Sequence, residues 1–270
     1  GHARPVIVPG RITEVRLSVG NYETGFGVQI WKNYEDGMRI FLRDPFGDAE
    51  FELLPIRGTD RIRIGETELL IYYGEPSPFN AAQEIYIEFV PEQAYVESGI
   101  WIFRFLGKGR EDTYVDLWLP SSAALGQNTA FLEPSPETTL TIPSTAFRPL
   151  TVGAYDSRTG IYAPFSGRGD TRIYHAQKPD LAAPGVGIMA PKSGGGYEAV
   201  TGTSFAAPLV AGAAALLMEW GIVRGNDPYL YGEKVKAYLR KGAKRLPSEL
   251  EYPNPRLGYG ALCVSESIPE

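Results

Sequence analysis

The sequence is poor in the residues that build metal centres and covalent frameworks. It holds one cysteine, Cys263, and two histidines, His2 and His175, in 270 residues. One thiol excludes an internal disulfide framework and a thiolate zinc cage, and two imidazoles cannot furnish a histidine-rich metal centre. No metal and no cofactor is expected. There is no Lys/Arg-rich run, RNP-like stretch or helix-turn-helix signature, and the formal net charge is −6. That balance argues against a polyanion as the main partner, so no nucleic acid is expected. No apolar segment reaches the ~20 residues a membrane helix needs. Residues 205–223 come closest, but Pro208, Glu219 and an Ala/Gly-rich make-up fit a helix buried in protein, so no membrane partner is expected. Cys263, in "YGALCV", reads as a small buried hydrophobe and leaves the compartment open. A signal pattern and an initiator Met are also missing. "GHARPVIVPG" opens mid-pattern, and an upstream portion is expected to precede Gly1.

What is present is globular: 43% hydrophobic and 21% charged residues, enough for one large or two ordinary domains. From Arg11 to about Pro120 the chain reads as strands. "ITEVRLSV" sets Val15, Leu17 and Val19 on one face and Glu14, Arg16 and Ser18 on the other. "GFGVQIWK", "MRIFLR", "DRIRIG", "ELLIYY", "EIYIEFV", "GIWIFRFLG" and "TYVDLWLP" follow, broken by Gly, Pro, Asp and Asn turns. Such runs without an intervening helix predict an antiparallel sandwich or jelly roll over residues 1–140. "FLGKGREDTYV" predicts a hairpin with its loop at Gly107–Asp112. The aromatic residues at period two are expected in the sandwich core, with an exposed sugar-binding face as the alternative.

After "PSPETTLTIP" the style changes. "FRPLTVGAYD" and "KPDLAAPGVGIMAP" are short apolar strands with Gly and Pro punctuation, and a long Ala/Leu helix follows. "PYLYGEKVKAYLRKGAKRL" puts Tyr231, Val235, Tyr238, Leu239 and Gly242 on one helical stripe. Its basic residues Arg240, Lys241, Lys244 and Arg245 gather at the C-terminal end, where they suit the dipole. Strands alternating with helices predict an α/β layer over residues 141–270, with partly parallel strands and a buried helix.

The most informative stretch of this second region is "GTSFAAP", which joins a small-residue turn to the long apolar run. Gly202 permits a tight turn and close approach of another chain. Ser204 stands at the start of the helix, where unpaired N–H groups and the positive dipole end favour developing negative charge. Pro208 fits that placement, since its missing N–H removes only the first helical bond, to the Ser204 carbonyl. On these residues alone two roles are open for Ser204: helix N-cap, or nucleophile with its own N–H as an oxyanion donor.

"GTSFAAPLVAGAAAL" resembles the serine signature of the subtilisin-like serine proteases. The resemblance continues in order: "LTVGAYDSRTGIYAPFSGRG" is similar to the family's Val-Gly-Ala strand and Phe-Ser-x-x-Gly turn, "KPDLAAPGVGI" to its Lys-Pro-Asp segment, and "GYGAL" to its closing Gly-Tyr-Gly strand. Together they span roughly residues 146–264. The strand-rich first part resembles a jelly-roll insertion carried by some clostridial and related Firmicute members, including the spore-germination Csp type. There it follows the segment that holds the oxyanion asparagine.

The resemblance implies a serine endopeptidase acting on protein or peptide substrate. Ser204 is then the nucleophile, and the Thr203 hydroxyl supports the oxyanion region. Gly202 and Phe205 border the substrate, Phe205 on the leaving-group side. Family members use the chain order Asp, His, Ser. Here neither His2, beside the expected insertion point, nor His175, in the polar loop "RGDTRIYHAQ", suits the base. Asp156 and Asp170 fall in turns, and Asp180 is structural by the resemblance. Aspartate, histidine and oxyanion asparagine are all expected upstream of Gly1, on a missing N-terminal half. The chain alone is then expected to lack measurable peptidase turnover, and to self-associate through the faces that half would cover, giving a homo-oligomer. The resemblance also implies a secreted or spore-associated setting. A catalytically degenerate relative, or a jelly roll that binds carbohydrate or a partner, is the competing expectation.

Overall fold

Alternation becomes strand throughout the first part of the chain. The computed structural model describes residues 1–47, 49–55, 58–169 and 177–268, and it divides into two units, Gly1–Ser135 and Pro136–Glu270. Among the described residues the first unit carries thirteen strands: β1 (His2–Ala3), β2 (Val6–Ile7), β3 (Ile12–Val19), β4 (Phe26–Asn33), β5 (Met38–Arg43), β6 (Glu50–Leu53), β7 (Gly58–Ile64), β8 (Thr67–Tyr73), β9 (Ala82–Pro91), β10 (Gly99–Gly107), β11 (Thr113–Tyr114), β12 (Asp116–Trp118) and β13 (Ala130–Phe131). They form a six-stranded sheet, β1-β12-β4-β9-β8-β7, and a five-stranded sheet, β13-β3-β10-β5-β6, with β2 and β11 paired apart. The ladders are antiparallel.

One core joins the inner faces of the two sheets. Val15, Leu17 and Val19 of β3 and Trp101, Phe103 and Phe105 of β10 meet Val28 and Ile30 of β4 and Ile85, Ile87 and Phe89 of β9. Phe89 stacks on Phe26 at 4.7 Å and meets Trp101 edge-on at 5.2 Å, while the Trp101 indole N–H donates to the Glu97 carbonyl at 3.0 Å. Aromatic burial of this kind stabilises through area first and ring geometry second. The exposed Tyr22–Tyr95 pair is perpendicular, at 80°, and offers no flat sugar platform. His2 is held at one ring nitrogen and one face: its Nε2 lies 2.9 Å from Asp116 Oδ1, and its ring stacks on Trp118.

One local expectation fails. β10 and β11 do not form a hairpin: β11 bonds β2, and β12 bonds β1 and β4 in the six-stranded sheet. The turn residues signalled a turn correctly, but which strand receives the chain is a long-range choice.

The second unit holds β14 (Val152–Asp156), β15 (Ile161–Tyr162), β16 (Leu181–Pro184), β17 (Ile188–Pro191) and β18 (Tyr197–Val200), then α1 (Thr203–Met218), α2 (Gly232–Lys241) and α3 (Val264–Ser267). β14 is parallel to β16 and antiparallel to β15, and β17 and β18 form a hairpin. "GYGAL" lies along β16 through a single parallel bridge, Ala182 to Ala261, instead of a full strand. Cys263 is half-buried, 3.3 Å from the Ser265 hydroxyl, and not a core residue.

α1 packs on the parallel strands through Ala206, Val210, Ala213 and Leu217, a spacing of four, three and four. These join Ala154, Leu181 and Ala183 in one buried cluster, where the small side chains let helix and sheet approach closely. Its other face is open: Leu209, Leu216 and Met218 are exposed. The expectation of a helix buried in protein is thus met on one stripe only. A π-helical turn, Glu219–Val223, prolongs α1 without a break. The helical stretch Thr203–Val223 therefore does reach the length and hydropathy of a membrane span, with 28% of its most apolar window buried. Pro208 lies inside it and does not interrupt it, and this corrects the reading of residues 205–223 as too short.

Candidate active site

β18 leads through Thr201 and Gly202 directly into α1, and backbone bonds fix the turn between them. The Gly202 N–H donates to the Gly185 carbonyl at 2.8 Å, and the Phe205 N–H to the Gly202 carbonyl at 3.1 Å. Gly202 sits at φ 154°, ψ 159°, a region essentially restricted to glycine. Gly185 is required for a different reason: a Cβ there would lie 2.7 Å from the Ala154 Cβ. Two glycines thus let the end of β16 press against the turn that presents the serine.

Ser204 is the second residue of α1 and is exposed. The N-cap is Gly202, with no side-chain cap bond, so the N-cap role for Ser204 is set aside. The first-turn N–H groups of a helix have no intrahelical acceptor. α1 has no acidic residue in that turn, so its positive end stands unopposed beside the hydroxyl. Pro208 lies further in than expected. Its missing N–H still faces the Ser204 carbonyl, but with the helix starting at Thr203 this is a bond within the second turn, not the first one.

Thr203 and Phe205 flank the serine and are half-buried. Thr203 also lines a cleft of about 380 Å³ with Leu140, Thr141, Val152, Phe165 and Arg168. The cleft's rim is tied down. The Ala154 N–H donates to the Ser166 hydroxyl at 3.0 Å, and Tyr162 donates its hydroxyl proton to the Ser166 carbonyl. Arg168 pairs with Glu137 at 3.0 Å and lies over the Tyr162 ring. The Thr139–Ser144 side of this cleft was missed in the sequence, where "PSPETTLTIP" reads only as a change of style.

The acids take structural roles. Asp180 is fully buried. Its carboxylate accepts the Thr151 N–H at 2.6 Å and the Lys178 ammonium at 2.9 Å, and it pairs with Lys236 at 3.4 Å and with Arg240. Burial pushes the Lys178 ammonium below the ordinary lysine range, against the pull of Asp180. Asp156 closes a turn on Arg158, whose hydrogen bonds hold its carboxyl below the usual range. His175 and Asp170 lie outside the described residues, and His2 belongs to the Gly1–Ser135 sandwich. No imidazole in the described residues of Pro136–Glu270 is available to Ser204.

Known proteins resemble this chain in sequence and fold. The Subtilase family is matched over residues 122–260, more than half of the chain. Serine protease AprX of Bacillus subtilis is 32% identical over 152 residues, covering 48% of this chain and 32% of that protein. The PII-type proteinase of Lactococcus lactis subsp. cremoris is 39% identical over 89 residues, 33% of this chain and 5% of that protein. The solved structure of the Clostridium perfringens CspB protease superposes with a TM-score of 0.89 at 35% identity, covering 98% of this chain and 55% of that one. The chain therefore spans about half of that solved relative and a third of AprX. With its family segment, its parallel strands and its serine at a helix N-terminus, this chain belongs to the subtilase family.

Proposed function

We propose that the chain is the serine-bearing part of a subtilisin-type endopeptidase, with Ser204 as nucleophile. Its aspartate, histidine and oxyanion asparagine come from polypeptide outside these 270 residues. The observation that carries this reading is the exposed Ser204 on the unopposed positive end of α1, beside a cleft. The longer CspB chain, of which this one covers 55%, supports it.

A serine hydroxyl is a poor nucleophile until a base takes its proton. With an imidazole alongside, Ser204 Oγ transfers its proton to it while bonding to the scissile carbonyl carbon, and the carbonyl π pair moves onto oxygen. The Ser204 N–H holds that oxyanion, with the Thr203 hydroxyl as support. Collapse breaks the C–N bond, and the imidazolium returns its proton to the leaving amine. Water then repeats the sequence, releasing the acyl group and the serine. Gly202 and Phe205 border the bound peptide, and the cleft beside Thr203 takes a substrate side chain.

Without the base the chain alone is inactive. Its other partner is the remainder of the protease, which covers the apolar outer face of α1. In its absence the chain self-associates. Gly1–Ser135 is a jelly-roll-like insertion: the wrapped pairs β3–β10 and β4–β9 support this, while β5–β6 and β7–β8 are local hairpins.

Labelling with a fluorophosphonate tests the nucleophile. The intact protein is expected to be modified at Ser204 and to lose both label and peptide cleavage as Ser204→Ala. Cleavage by that variant would end the assignment. Ser204-dependent turnover by the 270-residue chain alone would instead overturn the need for an outside base.

A further inference from the structure

The buried charges around Asp180 do not balance. Lys178, Lys236 and Arg240 converge on one carboxylate, with side chains 1%, 7% and 27% exposed. Among the described residues no second carboxylate is ion-paired with this group, and Glu233 stands at its exposed rim. Removing cations from water without matching anions is costly. Beside them opens a cleft of about 340 Å³, walled by Phe147 and Tyr259 and edged by Gln177.

The three cations are not equivalent. Lys178 spends its donors on the Pro149 carbonyl at 2.5 Å, the Thr151 hydroxyl at 3.0 Å and Asp180. Lys236 reaches the Phe147 carbonyl at 3.0 Å as well as Asp180. Both lysines supply field more than free donors. Arg240 is different. It gives one terminal nitrogen to Asp180 and lies on the Tyr259 ring at 4.8 Å, while its Nε is buried without a hydrogen-bond partner. A guanidinium stacked on a ring and pinned at one nitrogen is a preorganised fork for an oxyanion.

We infer that this cleft binds a small multivalent oxyanion, a phosphate or a polycarboxylate, on Arg240 with Gln177 at its edge and Lys178 and Lys236 behind. The site lies away from the Ser204 machinery in residue membership and does not depend on the proposed protease activity. Its volume exceeds that of an inorganic anion, so an organic phosphate or citrate-sized acid also fits.

Thermal unfolding of the intact protein tests it, in sodium phosphate, in sodium citrate and in sodium chloride at equal ionic strength. Ligand binding to the native state raises Tm, by about 5 °C at saturation. Phosphate alone acting identifies phosphate chemistry. A rise in both salts that Arg240→Gln abolishes identifies any multivalent oxyanion, and a rise that Arg240→Gln retains is the general exclusion effect of these salts and overturns the inference. Equal Tm in all three salts overturns the inference. Arg240→Gln is expected to abolish the shift. Because it also loosens Asp180, ³¹P line broadening of free phosphate is measured with Gln177→Ala, an exposed change that leaves the ion cluster intact. Broadening should fall several-fold in that variant, and broadening equal in both proteins also overturns the site.

Discussion

The two units bury their interiors by opposite means. Gly1–Ser135 uses large side chains on long ladders, with Trp101, Phe89, Phe103 and Phe105 fully buried. Pro136–Glu270 uses small ones: Ala154, Ala182, Ala183, Ala206 and Ala213, with glycines where chains touch. A core of large residues closes on itself within the sandwich. A core of alanines demands that helix and strands come close, and it leaves the apolar outer face of α1 with nothing among the described residues of the unit to cover it. The first strategy yields a self-contained body. The second yields a surface for chemistry, because the close approach at Gly185 and Gly202 is what thrusts Ser204 outward.

That contrast can be broken most sharply at Ser204. In the intact protein, Ser204→Ala is expected to lower kcat by about 10⁶-fold, the magnitude seen in subtilisin itself, without changing the melting of either unit. Peptide hydrolysis alongside calorimetry reads both. The cores come next. Phe103→Ala should destabilise the sandwich by about 3–5 kcal/mol, read by near-ultraviolet circular dichroism in denaturant. In the other unit Asp180→Asn should cost a similar 3–5 kcal/mol, since it strands three cations around a neutral amide. A near-neutral result there would mean the cations are already neutralised by something other than Asp180.

Smaller effects sharpen the picture. Gly202→Ala forces a Cβ into φ 154° and is expected to cost about 1–3 kcal/mol. It should also lower fluorophosphonate labelling of the intact protein more than it lowers Tm. The smallest effect lies on the sandwich, where Tyr86 is pushed up to about 12 by burial first and by its bond to Glu88 second. Its folded value lies above the ~10 of an unfolded phenol. The neutral phenol's contribution is therefore complete below pH 10 and is lost as pH rises through 12. Tyr86→Phe should flatten the stability slope between pH 10 and 12 in denaturant titrations, and an unchanged slope would remove Tyr86 from the alkaline transition.

Much of this was legible in the sequence for a plain reason. A strand with one buried face writes its orientation into alternate residues, so Val15, Leu17 and Val19 announce the core of β3 by themselves. That Ser204 stands near a helix N-terminus was legible because its neighbours are constrained by backbone geometry, and constrained backbones select glycine and proline. Its role as nucleophile was implied by the family resemblance and not by these residues. What could not be read were choices between equally good local answers. "FLGKGREDTYV" carries the residues of a hairpin, yet β11 goes to β2, because partner choice is decided by the whole sheet.

The sequence by itself determined which segments are strands, where the style of packing changes, and which hydroxyl stands at a helix N-terminus, since each follows from periodicity and steric limits within a few residues. Only the tertiary structure decided that Gly202 and not Ser204 caps α1, that Arg240 serves Asp180 as well as the helix end, and that Lys236 is buried with it. The reason is distance along the chain: Asp180 and Arg240 are sixty residues apart, and no local rule of charge or spacing pairs groups that only the folded backbone brings together.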